Sequence, residues 1–407
     1  MNRADAPIHY RLYEYLMKSY NPKLLPIKNS NSPVTNHLRI DLYQIIEVVS
    51  FQDFTPFFLL FFKNFPLLAL FSFFRLDRYC ILKIMLSWNR SQFDNITMIL
   101  LPHQSVWYPD TTLYNSLEMD DANSKRMMKV KIISGDKNKP AIVELLYPSM
   151  YKFSCMLNLR FFPYDIQNCE IIFGSWTHDN KAVDYEANSD GENAIGSNHL
   201  LENEEWQLLG SQVEKKEVKY ECCVNNYTLL VYKLHIRRKP LFYLVNLVAP
   251  TSFITLIAIF GFFSTPTIND IREEKISLGI TTLLSMSILI LMVSDKMPST
   301  SSFIPLIGWF YFSMMLLISA ATLAATVINS VQKKGTLGNR PSEQVMYWVR
   351  LLDSQLATPA NLAQLEYDWF AAVIERFCLL VFFIFFSLMS FGINALGLYY
   401  WQFTKIQ

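Results

Sequence analysis

The chain carries almost no net charge, with 36 Lys and Arg against 35 Asp and Glu in 407 residues. That balance gives no argument for an acidic or basic partner, and no basic run suits nucleic acid. No nucleophile stands with a base, and no His and carboxylate cluster at ligand spacing marks a metal. Neither catalytic residues, a metal nor a cofactor is therefore expected. No secretory signal opens the chain: Met1-Asn2-Arg3 leads straight into IHYRLYEYLMKSYNP, so a leader is expected to be missing. That opening reads as a short amphipathic helix stopped at Pro22. Cysteines number six. They divide into Cys155 and Cys169, the adjacent Cys222 and Cys223, and the singles Cys80 and Cys378. Two pairs in the N-terminal half point to an oxidising, extracellular compartment.

Charge is missing altogether from four stretches. Leu241–Phe263 is apolar with Pro250 inside, Ile276–Ser294 is uncharged, Phe303–Ile328 is the apolar part of a run without charge from 297 to 332, and Phe377–Phe403 is the fourth. Each is long enough to cross about 30 Å of hydrocarbon as a helix. One such stretch could be a buried core helix; four in the C-terminal part of the chain argue for membrane spans. Basic residues do not settle orientation, because Lys333 and Lys334 follow the third span while Arg237, Arg238 and Lys239 precede the first. Acceptors for glycosylation at Asn89, Asn95 and Asn226 agree with an N-terminal half outside the cell. Residues 87–240 alternate apolar and polar runs between Asn, Asp, Gly and Pro, which predicts strands and turns. Between the third and fourth spans lies the long linker 333–372, whose end, EYDWFAAVIERF, has a helical pattern running into the last span.

The run CMLNLRFFPYDIQNC from Cys155 to Cys169 resembles the signature loop of the Cys-loop receptors, the pentameric ligand-gated ion channels. The likeness includes both cysteines, the Phe162-Pro163-Tyr164-Asp165 turn, Gln167 and Asn168. It implies a disulfide between Cys155 and Cys169, and a β-rich binding domain followed by four spans. The start of the chain, on to Leu38–Val48, resembles the mature nicotinic acetylcholine receptor subunits. Trp107-Tyr108-Pro109-Asp110 and Leu113-Tyr114-Asn115-Ser116 resemble their first agonist loop, carried over to Tyr114. Gly174-Ser175-Trp176-Thr177 resembles the second, with Trp176 as its ring. Tyr220-Glu221-Cys222-Cys223-Val224-Asn225-Asn226-Tyr227 resembles the third, and its adjacent cysteines mark an α-type subunit with a bond between Cys222 and Cys223.

Three tyrosines and a tryptophan, Tyr114, Tyr220, Tyr227 and Trp176, would form an electron-rich cage if brought to one place. A quaternary ammonium donates no strong hydrogen bond, so it is recognised by ring faces, each contact worth roughly 0.5–2 kcal/mol. Any one of these rings taken singly is more often core packing, and a vicinal cysteine pair could alternatively hold a metal. Two positions depart from the resemblance: Ile172 and Leu229 stand where family α subunits carry a Lys and an Asp. Losing both charges together leaves no lone charge behind, but it puts the usual agonist-to-gate ion linkage in doubt.

Residues 49–86 fit less well. Phe51–Phe74 holds ten phenylalanines, interrupted by Pro56, Lys63 and Pro66. The resemblance implies a second strand here, bearing an acidic residue and a Trp that this segment lacks. A fifth span, an internal signal sequence and translated intron are the three readings; the last is preferred, because Val49-Ser50 is what a splice donor would encode.

The second span, REEKISLGITTLLSMSILILMVSDKMPST, resembles the pore-lining helix of cation-conducting members. Glu274, Ser277, Thr281, Leu284, Ile288, Leu291 and Asp295 recur every three or four positions and share one face about 31 Å long. It is acidic at both ends, hydroxylated near the inner end and apolar in the middle. Five copies would stack these into rings that concentrate cations at the mouths and close by dewetting at Leu284 and Ile288.

The fold class expected is therefore an α+β membrane protein: an extracellular antiparallel β-sandwich with an N-terminal helix, then a four-helix transmembrane bundle. The expected domains are 1–240 for ligand binding, with 49–86 anomalous; 241–328 for three spans including a pore helix 275–295; 329–375 for a cytoplasmic loop and helix; and 376–403 for the fourth span. The implied function is a subunit of a cation-selective channel opened by acetylcholine or a choline-like amine. Phe162, Pro163, Tyr164, Asp165 and Arg238 would carry the signal to the gate. A non-conducting or regulatory subunit, or a non-functional product of a faulty gene model, are the alternatives. Expected partners are a small cationic agonist, permeant cations, other subunits of a homo- or hetero-pentamer and the lipid bilayer, at a postsynaptic plasma membrane.

Overall fold

The computed structural model describes residues 6–18, 20–26, 32–49, 70–84, 86–117, 128–135, 141–188, 193–263, 272–295, 303–336 and 363–404. The chain divides into two compact units: Met1–Leu157 with Ile166–Arg237, and Asn158–Asp165 with Arg238–Lys405.

The first unit opens with helix α1, Ile8–Met17, which buries Leu12 and Leu16. These lie four apart on one face, as the amphipathic reading requires. The helix ends five residues before Pro22. Two sheets follow. The larger contains β1 (Val34–Val49), β2 (Leu70–Ile84), β3 (Met98–Pro102), β5 (Lys129–Ile133), β6 (Ala141–Cys155), β8 (Val183–Ala187) and β9 (Ile195–Gly196). Its order is β3-β5-β6-β2-β1-β8, with β9 beside β1. The smaller, in order β10-β11-β7-β4, contains β4 (Thr111–Leu113), β7 (Ile166–Ser175), β10 (Trp206–Val218) and β11 (Tyr227–Arg238).

Strand formation follows the two-residue alternation of the sequence. In β1, Val34, Leu38, Ile40 and Leu42 are buried between half-buried polar neighbours. In β5, Val130 and Ile132 point inward. These side chains share one core with Phe153 of β6, Ile171 and Phe173 of β7, and Tyr232, Leu234 and Ile236 of β11. Pairing is antiparallel between β1, β2 and β6 and between β7 and β11. At the other edge of β1, β8 and β9 pair in parallel. Both reach β1 over long connections, which a parallel pairing needs.

Within the segment read as anomalous, Leu70–Ile84 is a strand inserted between β1 and β6, with Val49 opposite Phe71 and Leu70 opposite Cys155. A spanning helix therefore does not hold for Leu70–Phe74. Residues 50–69 lie outside the described part of the chain.

Among the described residues, the second unit holds four helices long and apolar enough to cross a membrane: α2 (Leu241–Phe263), α3 (Arg272–Asp295), α4 (Leu306–Thr336) and α5 (Ala363–Phe403). In α2 a π-helical turn, Leu244–Val248, precedes Pro250. Proline has no N–H for the carbonyl four residues back, so the ladder can widen there. Hydroxyl groups within these helices bond back to carbonyls of the preceding turn, as Thr251 Oγ1 does to Leu247 O at 2.6 Å and Thr255 Oγ1 to Thr251 O at 2.8 Å. Such bonds let Ser and Thr sit in an apolar span. The predicted helix of EYDWFAAVIERF is continuous with the last span inside α5.

Candidate functional site

In the first unit, three chain segments converge on one aromatic cluster. Tyr114 follows β4, Trp176 follows β7, and Tyr220 and Tyr227 flank the tip of the β10–β11 hairpin. The rings of Tyr114 and Trp176 lie 5.4 Å apart at 50°, and those of Tyr220 and Tyr227 lie 5.5 Å apart at 71°. Trp176 is 62 % exposed, which removes the core-packing reading for this ring. The Tyr114 hydroxyl donates to Ser175 O at 2.6 Å. Gly174 permits this approach: a Cβ there would meet Leu229 Cδ2 at 2.6 Å and Tyr114 Cε2 at 3.2 Å.

Burial, and then the neighbouring Tyr220, Asp110 and Tyr227, push the Tyr114 phenol up to about 12. Its ring is accordingly a neutral phenol at physiological pH, and the cluster offers ring faces rather than an anion.

Asp110 organises the segment that carries Trp176. Its carboxylate accepts the Ser175 hydroxyl, the Trp176 N–H at 3.1 Å, the Thr177 N–H at 2.8 Å and the Thr177 hydroxyl at 2.7 Å. The His178 ring approaches at 3.3 Å. Burial alone would raise this carboxyl; the hydrogen bonds from Ser175, Thr177 and His178 outweigh it and hold the carboxyl below its usual value. Nothing in Trp107-Tyr108-Pro109-Asp110 marks Asp110 as a positioning group, because its partners stand more than 60 positions later.

The hairpin tip is tied to the same segment. Asn225 Nδ2 donates to Asp179 Oδ2 at 2.6 Å, and Asn180 N–H to Asn226 O at 2.8 Å. At this tip one expectation is corrected: Cys222 and Cys223 are free thiols. A bond between neighbours would close an eight-membered ring and strain the peptide between them. Here Cys223 Sγ instead accepts the Tyr227 hydroxyl at 3.8 Å, and Cys223 N–H bonds Tyr220 O at 3.1 Å. The hydrogen bond with Cys223 raises the Cys222 thiol above its ordinary value.

The Cys155–Cys169 disulfide is formed and joins β6 to β7. Residues 158–165 of the loop it closes belong to the second unit, where the expected linkage residues meet. Arg238 Nε donates to Asp165 Oδ1 at 2.9 Å, with both side chains buried, and Arg238 N–H to Asp165 O at 3.1 Å. The guanidinium stands over the Phe162 ring at 5.1 Å and the Tyr243 ring at 5.6 Å. Pro163 follows Phe162 in a cis peptide. Tyr164 donates to Asn394 Oδ1 of α5 at 3.1 Å, and burial pushes its phenol up to about 12. Phe161 stacks on Tyr400 at 3.9 Å, and Trp401 Nε1 donates to Arg238 O at 2.9 Å. The last turns of α5 were not singled out in the sequence, whose apolar pattern there signals only a span.

Helix α3 is two-faced. Lys275, Gly279, Thr282, Met286 and Val293 are buried. Ser277, Thr281, Leu284, Ile288 and Leu291, the expected pore stripe, are all exposed, Leu284 at 62 % and Leu291 at 65 %. The side chains of Glu274 and Asp295, at the ends of that stripe, lie outside the described residues.

Comparison with known proteins matches residues 84–240 to the neurotransmitter-gated ion-channel ligand binding domain and residues 247–366 to the neurotransmitter-gated ion-channel transmembrane region. The chain is 47 % identical over 351 residues to the acetylcholine receptor subunit alpha-type des-2 of Caenorhabditis elegans, which covers 86 % of this chain and 61 % of that protein. It is 46 % identical over 358 residues to the betaine receptor acr-23 of the same organism, covering 85 % and 63 %. The subunit alpha-type deg-3 follows at 40 % over 341 residues, covering 83 % and 57 %. The chain thus spans about three fifths of the length of these relatives.

Proposed function

The chain belongs to the neurotransmitter-gated ion-channel family, and from that premise we propose that it is a subunit of a cation-selective channel opened by a small quaternary amine. Members of this family are ligand-gated channels and not enzymes. Membership makes the chain a multi-pass plasma-membrane protein with an extracellular N-terminal domain.

The agonist class rests on one observation: four aromatic side chains, Tyr114, Trp176, Tyr220 and Tyr227, gathered in one cluster with the Trp176 ring uncovered. A trimethylammonium group presents no N–H, so ring faces are its natural partners. Acetylcholine, choline and betaine share that group, and the relatives' names include both acetylcholine and betaine receptors. Cation selectivity is proposed from the stripe Glu274, Ser277, Thr281, Leu284, Ile288, Leu291 and Asp295, facing the axis of a pentamer. Phe162–Asp165 and Arg238 are proposed as the joint that passes agonist closure to α3. Ile172 and Leu229 replace the family's charged pair, and the antiparallel pairing of β7 with β11 is proposed to carry the signal from the hairpin in its place. The departure of segment 49–86 from the family pattern favours a second reading, a subunit that joins pentamers without opening alone.

Expression in oocytes with acetylcholine, choline and betaine applied in turn tests the reading. At least one should evoke current. Trp176→Ala should raise its half-maximal concentration tenfold or more, about 1.4 kcal/mol of lost ring contact. An unchanged concentration dependence would remove Trp176 from the site. Surface subunits silent alone but conducting with a second subunit would favour the second reading.

A further inference from the structure

Helix α3 begins Arg272-Glu273-Glu274-Lys275. Lys275 does not face the exposed stripe; it is buried, and its Nζ donates to Glu375 Oε1 of α5 at 2.7 Å across 100 residues of chain. The two side chains are only 8 % and 3 % exposed. The second oxygen, Glu375 Oε2, is buried without a hydrogen-bond partner. Among the described residues, Lys275 is therefore the only hydrogen-bond partner of this carboxylate. Ala371, one turn before Glu375 on α5, is fully buried, as is most of Trp369 and Val373.

Buried ion pairs stabilise little compared with an apolar pair of equal volume, because desolvation offsets the attraction. Breaking one by removing a single partner is costly, since a lone charge stays behind. Stability alone is a weak reason for such a pair at the base of α3. Charge is a stronger one. With Lys275 free, the four residues opening α3 sum to zero; with Lys275 cancelled, they sum to −1. Around a five-fold axis that is the difference between a neutral and a five-fold negative inner mouth.

We propose that Glu375 is a conductance-determining residue: by holding Lys275 inside the subunit, it leaves the inner mouth of the pore negative. Glu375 touches no permeant ion and acts through Lys275. The proposal rests on the channel reading above and adds to it a residue outside the pore helix. Removing the carboxylate leaves five ammonium groups without partners. The nearest escape from an apolar site is water at the mouth, where they repel cations.

The test is single-channel conductance at low and at high salt for the full chain, together with surface labelling. Four forms are compared: wild type, Glu375→Gln, Glu375→Asp, and Glu375→Gln combined with Lys275→Gln. Glu375→Gln should lower conductance about twofold or more at low salt and much less at about 1 M, where the Debye length is about 3 Å. Glu375→Asp should retain most of the conductance, and the double substitution should restore it. A purely structural role would not produce a salt-dependent loss. Wild-type conductance in Glu375→Gln at both salts would overturn the proposal, as would a double variant as poor as the single. If Glu375→Gln fails to reach the surface, the double variant decides: wild-type conductance supports the proposal and reduced conductance overturns it. A wild-type chain that passes no cations would instead overturn the channel reading, before any variant is compared.

Discussion

Arg238 and Asp165 form the most deeply buried ion pair at the joint between loop and span, at 6 % and 1 % exposure. Arg238→Gln takes the guanidinium away from the buried Asp165 carboxylate, a loss of roughly 3–5 kcal/mol for a buried pair. The expected outcome is a collapse of surface expression measured by biotinylation. Tyr164→Phe removes one hydrogen bond, to Asn394, worth about 0.5–1.5 kcal/mol. It should spare expression and shift agonist sensitivity far less than Trp176→Ala does. His235 supplies a pH prediction. Burial first, and the Lys233 charge second, hold its pKa below the ordinary value. Its Nδ1 lies 2.6 Å from Asn168 Oδ1, and Nε2 is buried without a partner. The unfolded chain therefore takes up the proton first. The stability this neutral ring contributes is complete above about pH 6.5 and declines as pH falls through and below that value. Thermal unfolding of the detergent-solubilised protein between pH 7.5 and 5.5 should lose midpoint temperature. Substituting Gln for His235 should flatten that slope; an unchanged slope would place the titration elsewhere.

At the scale of the element, α3 carries the clearest expectation. Its buried residues Lys275, Gly279, Thr282, Met286 and Val293 recur at helical spacing, and the exposed stripe lies between them. Leu284→Thr makes the middle of that stripe polar, so a pore closed by dewetting should open more readily. Single-channel recording should give a higher resting open probability with unchanged conductance. An unchanged open probability would move the gate to another position on the helix. The exposed face from Ser277 to Leu291 was legible in the sequence because its helical periodicity lies within 15 consecutive residues. The disulfide loop was legible for a similar reason, its motif being contiguous. What escaped the sequence was non-local. Asp110 reaches Ser175, Thr177 and His178, Lys275 reaches Glu375, and the parallel pairing of β8 with β1 joins segments far apart. No periodicity or spacing encodes such partners. The expectation for Cys222 and Cys223 came from resemblance alone, and adjacency in the sequence does not tell whether the two thiols bond. Residues 70–84 looked unlike a strand by their phenylalanine-rich flank, yet β1 and β6 each offer an antiparallel partner along their length.

At the scale of the molecule, chemistry is divided between two units: an aromatic cluster in the first, a two-faced helix and a loop-to-span joint in the second. Trp176 and the stripe from Ser277 to Leu291 are exposed; on the proposed reading an agonist covers the first, and neighbouring subunits or ions meet the second. The central claim is that a quaternary amine opens a path for cations through this subunit. Its most direct test is the reversal potential of the agonist-evoked current when external sodium chloride is diluted tenfold with an uncharged osmolyte. A cation path moves the reversal potential to more negative values, following sodium. A shift to more positive values, following chloride, would contradict the account.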